Sequence, residues 1–196
     1  MGPGPLLVVL TGPSGTGKDS ILSKLRARSE SYHITVNVTT RSPRPGEQEG
    51  VDYYFVSKKD FGRKLRNGEL LEHAVVYGQD KGVARSPIRQ ALAGGQDVLL
   101  RTDIQGAHTI KRLVPSAIII FIAPPSEAEL KRRVRERGGD SEEQIRVREE
   151  IARQEMGATH EFDYTVVNED LERCVDEIEE IMSRERSRPD REPVRV

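Results

Sequence analysis

The chain has 196 residues, with 31 Lys+Arg against 32 Asp+Glu and a formal charge of −1. So even a balance excludes a strong overall field for nucleic acid or an anionic membrane, and a single cysteine excludes an internal disulfide. Arginine supplies 23 of the 31 basic residues, which suits forked phosphate recognition and equally suits a codon bias.

Met1–Pro5 lacks the basic and long apolar stretches of a signal peptide, and Leu6–Leu10 and Ala117–Ala123 are too short to span a bilayer. The expectation is a cytoplasmic protein. Leu6–Thr11 reads as an apolar strand, followed by a glycine-rich turn and a helix from Lys18 to about Arg28. His33–Thr39 alternates as a half-buried strand would, and Asp52–Ser57 predicts another. Ser57 with Asp60 three residues on predicts a helix start; Leu70–Tyr77 is mixed. Ser86-Pro87 predicts an N-cap and first helical position, with Gly94-Gly95 closing that helix.

Asp97–Asp103 and Ala117–Ala123 read as strands, the second apolar throughout and so buried on both faces. Ser126 with Glu129, and Ser141 with Gln144, open two further helices. Phe162–Asn168 predicts a last strand. Leu171, Cys174, Val175, Ile178, Ile181 and Met182 form one face of a last helix, which makes Cys174 a packing residue. Residues 187–196 read as a frayed, flexible tail. Alternating strands and helices imply an α/β three-layer sandwich around a parallel core sheet.

Gly12-Pro13-Ser14-Gly15-Thr16-Gly17-Lys18 fits the phosphate-binding loop G-x-x-x-x-G-K, between a strand and a helix as that motif requires. The loop predicts a P-loop NTPase fold and ATP as ligand: backbone N–H groups converge on phosphates, and Lys18 reaches the transferring end. Asp19 stands where a Ser or Thr Mg²⁺ ligand is usual, followed by Ser20. A carboxylate also binds Mg²⁺, directly or through water.

Thr39-Thr40-Arg41-Ser42-Pro43-Arg44-Pro45-Gly46-Glu47, joined to Asp52-Tyr53-Tyr54-Phe55, resembles the GMP-binding segment of guanylate kinases. Leu71-Glu72, Val76-Tyr77-Gly78, Asp103-Ile104-Gln105-Gly106-Ala107 and Asp163-Tyr164 with Val166-Val167-Asn168 follow in that family's order, so the resemblance runs from about Leu6 to Arg186. It implies one domain over 1–186: a core (1–36, 87–125, 158–186), a GMP-binding insert (37–86) and a helical lid (126–157). It further implies ATP and GMP as substrates, Mg²⁺ as cofactor, and a monomer or homodimer.

By this resemblance Arg41, Arg44 and Tyr53 hold the acceptor phosphate, Glu72 reads guanine, and Asp103 assists Mg²⁺ alongside Asp19. Arg137 and Arg148 match the catalytic lid arginines, acting with Lys18 and Arg44. Asn168 either lies near the adenine or caps the last helix. Asn37 stands where the family commonly has Ser, Lys81 where it has a phosphate-contacting Tyr, and Val83 where Ser or Thr is common near the base. Arg101 replaces the usual acid two residues before Asp103. Arg132, Arg135, Arg146 and Arg153 read as solvated helix surface. Two other readings stay open: a ribose 1,5-bisphosphate phosphokinase-like enzyme, and a catalytically silent guanylate-kinase-like binding module.

Overall fold

The computed structural model describes residues 4–76, 78–136, 142–157 and 159–196, without the side chains at 142, 144, 145, 148, 149 and 154. The first half comprises β1 (Leu7–Thr11), α1 (Lys18–Arg28), β2 (Tyr32–Ile34), β3 (Asn37–Thr39), β4 (Tyr53–Phe55), α2 (Lys58–Arg66), β5 (Leu70–Val76) and β6 (Gln79–Ala84). Then come α3 (Arg85–Ala93), β7 (Asp97–Arg101), α4 (Ile104–Leu113), β8 (Ile118–Ala123), α5 (Glu127–Glu136), α6 (Glu142–Met156), β9 (Tyr164–Val167) and α7 (Leu171–Arg186).

The core sheet is parallel throughout, in the order β2-β7-β1-β8-β9. Its centre shows why a period-2 strand needs no polar side here. Leu6, Val8 and Leu10 face α1 (Ile21, Leu22, Leu25) and α7 (Cys174, Val175, Ile178). Leu7 and Val9 face α3 (Ile88, Ala91) and α4 (Ala107, Ile110). Both faces are therefore covered by helices, which makes the three-layer sandwich. Burial pushes the Cys174 thiol up to about 12, as suits a packing residue.

A second sheet, β4-β3-β6-β5, pairs β3 with β4 in parallel and β6 with both β3 and β5 antiparallel. The run His33–Thr39, expected as one strand, is divided between the two sheets. Thr35 N still donates to Leu99 O at 2.9 Å, whereas Asn37–Thr39 pairs with Tyr53–Phe55. The alternation in sequence runs straight through the crossing, although Thr35, Asn37, Val38 and Thr39 are all buried, so hydropathy alone cannot reveal the break. The strand β6 carries Gln79, Asp80, Lys81 and Gly82 and has no apolar signature.

Helix ends follow the local chemistry. Ser57 Oγ accepts from Asp60 N at 3.0 Å, and Ser126 Oγ from Glu129 N at 3.1 Å. Helix α3 begins at Arg85, earlier than expected, with Ser86 and Pro87 inside its first turn. A proline is tolerated there because its missing N–H would lack an intrahelical partner anyway. Residues 187–196, expected to fray, lie against the body: Val194 and Val196 pack beside Ile88 and Ala91, and Arg89 Nε donates to Val196 O at 2.5 Å. Arg191 donates to the carbonyl oxygens of Gly4 and Pro5. These contacts offset the ordering entropy that an isolated polar tail would not recover.

Candidate active site

Parallel sheets bind ligands beyond the carboxyl ends of their strands, and a cleft of about 630 Å³ opens there. Its floor is the turn from β1 into α1. Gly12, Ser14, Gly15, Gly17, Lys18, Asp19 and Ser20 all line it; Pro13 and Thr16 shape the loop from outside the lining. Gly17 caps α1 with no side-chain acceptor, so the first helical N–H groups are left for a ligand. Lys18 Nζ meanwhile donates to Gly12 O at 2.6 Å and Pro13 O at 2.8 Å. Thr16 Oγ1 closes the loop on Pro13 O at 3.0 Å.

Gly12 has φ +123°, and a Cβ there would lie 2.4 Å from Ile122 O, a backbone atom of β8. Gly68 also has positive φ (+67°) but faces open space. Gly12→Ala is therefore expected to lower stability by about 2 kcal/mol more than Gly68→Ala, since only it adds a backbone clash to the left-handed strain. Paired thermal melts check this, and equal losses would contradict it.

The opposite side of the cleft comes from the second sheet. Arg41 forks onto Glu47, NH2 to Oε1 at 2.5 Å and NH1 to Oε2 at 2.6 Å, and Glu47 Oε2 also accepts from Arg44 N at 2.8 Å. One carboxylate thus fixes the loop that presents both arginines to the cleft. The Arg41 guanidinium lies 4.8 Å from the Tyr53 ring centroid. Burial alone would raise the Tyr53 phenol, yet Arg101 and Lys81 outweigh it and hold the group below its ordinary value. Lys81, opposite Thr39 on β6, lines the same cleft.

Deeper in, Glu72 is 4% exposed. Burial first, and the Asp103 charge second, raise its carboxyl to about 7, against a lowering hydrogen bond from Thr102 Oγ1 at 3.3 Å. The first turn of α4 presses close: a Cβ on Gly106 would lie 2.7 Å from Glu72 Oε1. Asn37 Nδ2 donates to Arg101 O at 2.7 Å, while its buried Oδ1 has no hydrogen-bond partner among the described residues. Asp103 Oδ1 caps α4 through Gly106 N at 2.9 Å.

Of the expected residues, Val83 does not reach the cleft. It is fully buried among Leu71, Ile88 and Leu100, because its place on β6 points it into the core. Asn168 neither caps the last helix nor hangs free: Asp170 Oδ1 caps α7 through Arg173 N, and Asn168 Nδ2 braces Thr16 O at 2.8 Å. Arg137 and the Arg148 side chain lie outside the described residues. Arg132, Arg135, Arg146 and Arg153 are exposed; Arg132 pairs with Glu129 and Glu136, and Arg153 with Glu127 and Glu150.

Two groups escape a reading of the sequence. Glu155 of α6 lines the cleft, and burial with the Asp103 charge raises its carboxyl to about 7 although Lys18 and Lys81 lower it. Nothing in a charged helix distinguishes this glutamate from its solvated neighbours. Arg133 lines the cleft from α5 and donates to Asn168 O at 3.1 Å.

Comparison with known proteins gives one consistent family. The family model described as guanylate kinase matches residues 5–185. The guanylate kinase of Synechococcus sp. (strain JA-3-3Ab) is 49% identical over 176 residues, 90% of this chain and 81% of that protein. That of Carboxydothermus hydrogenoformans is 41% identical over 191 residues, 97% of this chain and 94% of its own. A crystal structure of guanylate kinase from Anaplasma phagocytophilum superposes with a TM-score of 0.80 at 36% identity, covering 97% of this chain and 90% of that one.

Proposed function

The chain belongs to the guanylate kinase family, and from that premise we propose how its cleft divides the work of phosphoryl transfer. The enzyme is an ATP:GMP phosphotransferase: the γ-phosphoryl group of ATP passes to GMP, giving ADP and GDP. The observation that carries the residue assignment is a single cleft joining the P-loop Lys18 to a buried acid, Glu72, by way of Arg41, Arg44, Tyr53 and Lys81.

The loop Gly12–Lys18 and the open N-terminus of α1 cradle the ATP phosphates. Lys18 stabilises charge on the transferring group, and the lid arginines Arg137 and Arg148 are assigned to the same task. Arg41, Arg44, Tyr53 and Lys81 hold the GMP phosphate, whose own oxygen is the nucleophile, so no general base is needed. Glu72 accepts from the guanine ring N–H and exocyclic amine. Adenine has no matching donor pair, so it would leave a buried carboxylate unmet.

Among the described residues no group of three or more His, Cys, Asp or Glu could hold a metal alone. Mg²⁺ characteristically takes one or two carboxylates with substrate phosphates and water. Asp19 and Asp103, both at the cleft, fit that requirement and would hold it. When bound it would neutralise charge on the phosphate oxygens. We place the reaction in the cytoplasm, in purine nucleotide recycling, a reading supported by the buried, unpaired thiol of Cys174.

Coupled turnover of ATP with GMP, AMP, UMP and ribose 1,5-bisphosphate tests the assignment. GMP is expected to lead by about a hundredfold or more in kcat/KM. Equal rates on the other acceptors would overturn it. Thermal stabilisation by ATP alone is also expected, and its absence would favour a silent binding module.

A further inference from the structure

Arg101 ends β7 in the core sheet and is 9% exposed. Its Nε lies 2.5 Å from Asp19 Oδ1, in the first turn of α1 just after Lys18. Its NH2 donates to Asp52 O at 2.7 Å, and its guanidinium carbon stands 4.7 Å from the Tyr53 ring centroid. One buried cation therefore touches the donor loop's helix on one side and the acceptor segment on the other. Tyr53 carries a guanidinium contact from Arg101 as well as from Arg41.

The two departures noted in the sequence are thus one arrangement. A carboxylate stands where a hydroxyl is usual, and an arginine where an acid is usual, and they meet across 82 positions of chain (101 − 19). A carboxylate alone at position 19 would repel the ATP phosphates; paired with Arg101 its charge is balanced. The extended guanidinium reaches both sides at once, its Nε beside the Asp19 charge and its NH2 bonded to Asp52 O, which a compact ammonium cannot do.

Resting on the GMP kinase reading, we propose that Arg101 is a positioning residue for the acceptor phosphate, holding Tyr53 and Asp52 against the P-loop helix with Asp19 as its counter-ion. GMP affinity then depends on the Arg101 fork, and ATP affinity on the charge balance of the pair.

Steady-state KM values for GMP and for ATP in R101M, R101K, D19S/R101M and the wild type test this, with GMP binding by calorimetry and a melt of each variant. R101M is expected to raise the GMP KM about tenfold and the ATP KM by less. R101K should restore the ATP KM and leave the GMP KM raised, because it returns the charge without the fork. D19S/R101M should likewise recover ATP and not GMP, because serine keeps an oxygen for Mg²⁺ where a hydroxyl is usual while the unbalanced carboxylate charge is gone. A GMP KM within about twofold of wild type in R101M overturns the proposal. So does a parallel rise of both constants that R101K and D19S/R101M do not separate, since that would be a structural role only. If R101M does not fold, R101K alone decides by the same split. A wild type that fails to phosphorylate GMP would sink the functional reading; normal wild-type turnover with unaffected variants would sink this inference alone.

Discussion

Glu72→Gln is expected to cut kcat/KM for GMP by about a hundred- to a thousandfold while making the ligand-free protein more stable at pH 8. Both effects arise from the same burial. The Glu72 carboxyl is raised from 4.5 to about 7 by desolvation and then by Asp103. Its folded pKa exceeds its unfolded one, so between those values the folded state binds more protons than the unfolded. Stability therefore falls as pH rises through that window, and the full cost is present above pH 7. A rise from 4.5 to about 7 corresponds to about 3 kcal/mol, of order several degrees in melting temperature for a chain of this size.

Glutamine removes the ionisation and keeps an oxygen that can accept from Thr102. The stabilisation should fade as pH falls towards 4.5 and be gone below it, where wild-type Glu72 is protonated in both states. Catalysis moves the other way. The amide offers one acceptor and a donor where guanine presents two donors, so recognition is lost through an unmet pair. In the wild type the GMP KM should rise as pH falls below about 7, and binding of GMP should release a proton. Melts at pH 5 and 8, beside GMP and AMP kinetics, check the prediction. A variant no more stable at pH 8, or equally impaired with AMP, would contradict it.

The parts legible in the sequence are those whose determinants are local. Leu6–Thr11 followed by Gly12–Lys18 declares strand, loop and helix within a dozen residues, and the structure places them so. The block Arg41–Glu47 carries its own clamp, since Arg41 and Glu47 are six apart and pair directly. What escapes is set by distance or by burial without polarity. Asp19 and Arg101 look like two separate oddities until the fold brings their side chains together. Strand β6 is polar because part of it faces the cleft, so hydropathy hides it, while the same strand turns Val83 inward to the core. Asn168 illustrates a third kind of miss. Its position is recognisable, but that its amide braces the P-loop depends on β9 lying at the edge beside β8.

Lys18→Met is expected to lower kcat by about a thousandfold or more while leaving the GMP KM within about threefold of wild type. Methionine keeps the unbranched stem and removes only the ammonium. That ammonium is held by Gly12 O and Pro13 O, so it is pre-positioned over the loop. Its strongest interaction is with charge that develops during transfer, which is why the loss falls on kcat. The GMP subsite proposed above, Arg41, Arg44, Tyr53 and Glu72, lies on other elements and should survive. Lys18 is also the first of the charges that lower the Glu155 carboxyl. Its removal should push that group further up, so that in the variant it titrates at a higher pH. Single-turnover rates, GMP-dependent thermal shifts and a pH profile of the variant separate these effects. A kcat within about tenfold of wild type, or a lost GMP-dependent shift, would show that Lys18 acts chiefly on loop structure and not on the transferring phosphoryl group.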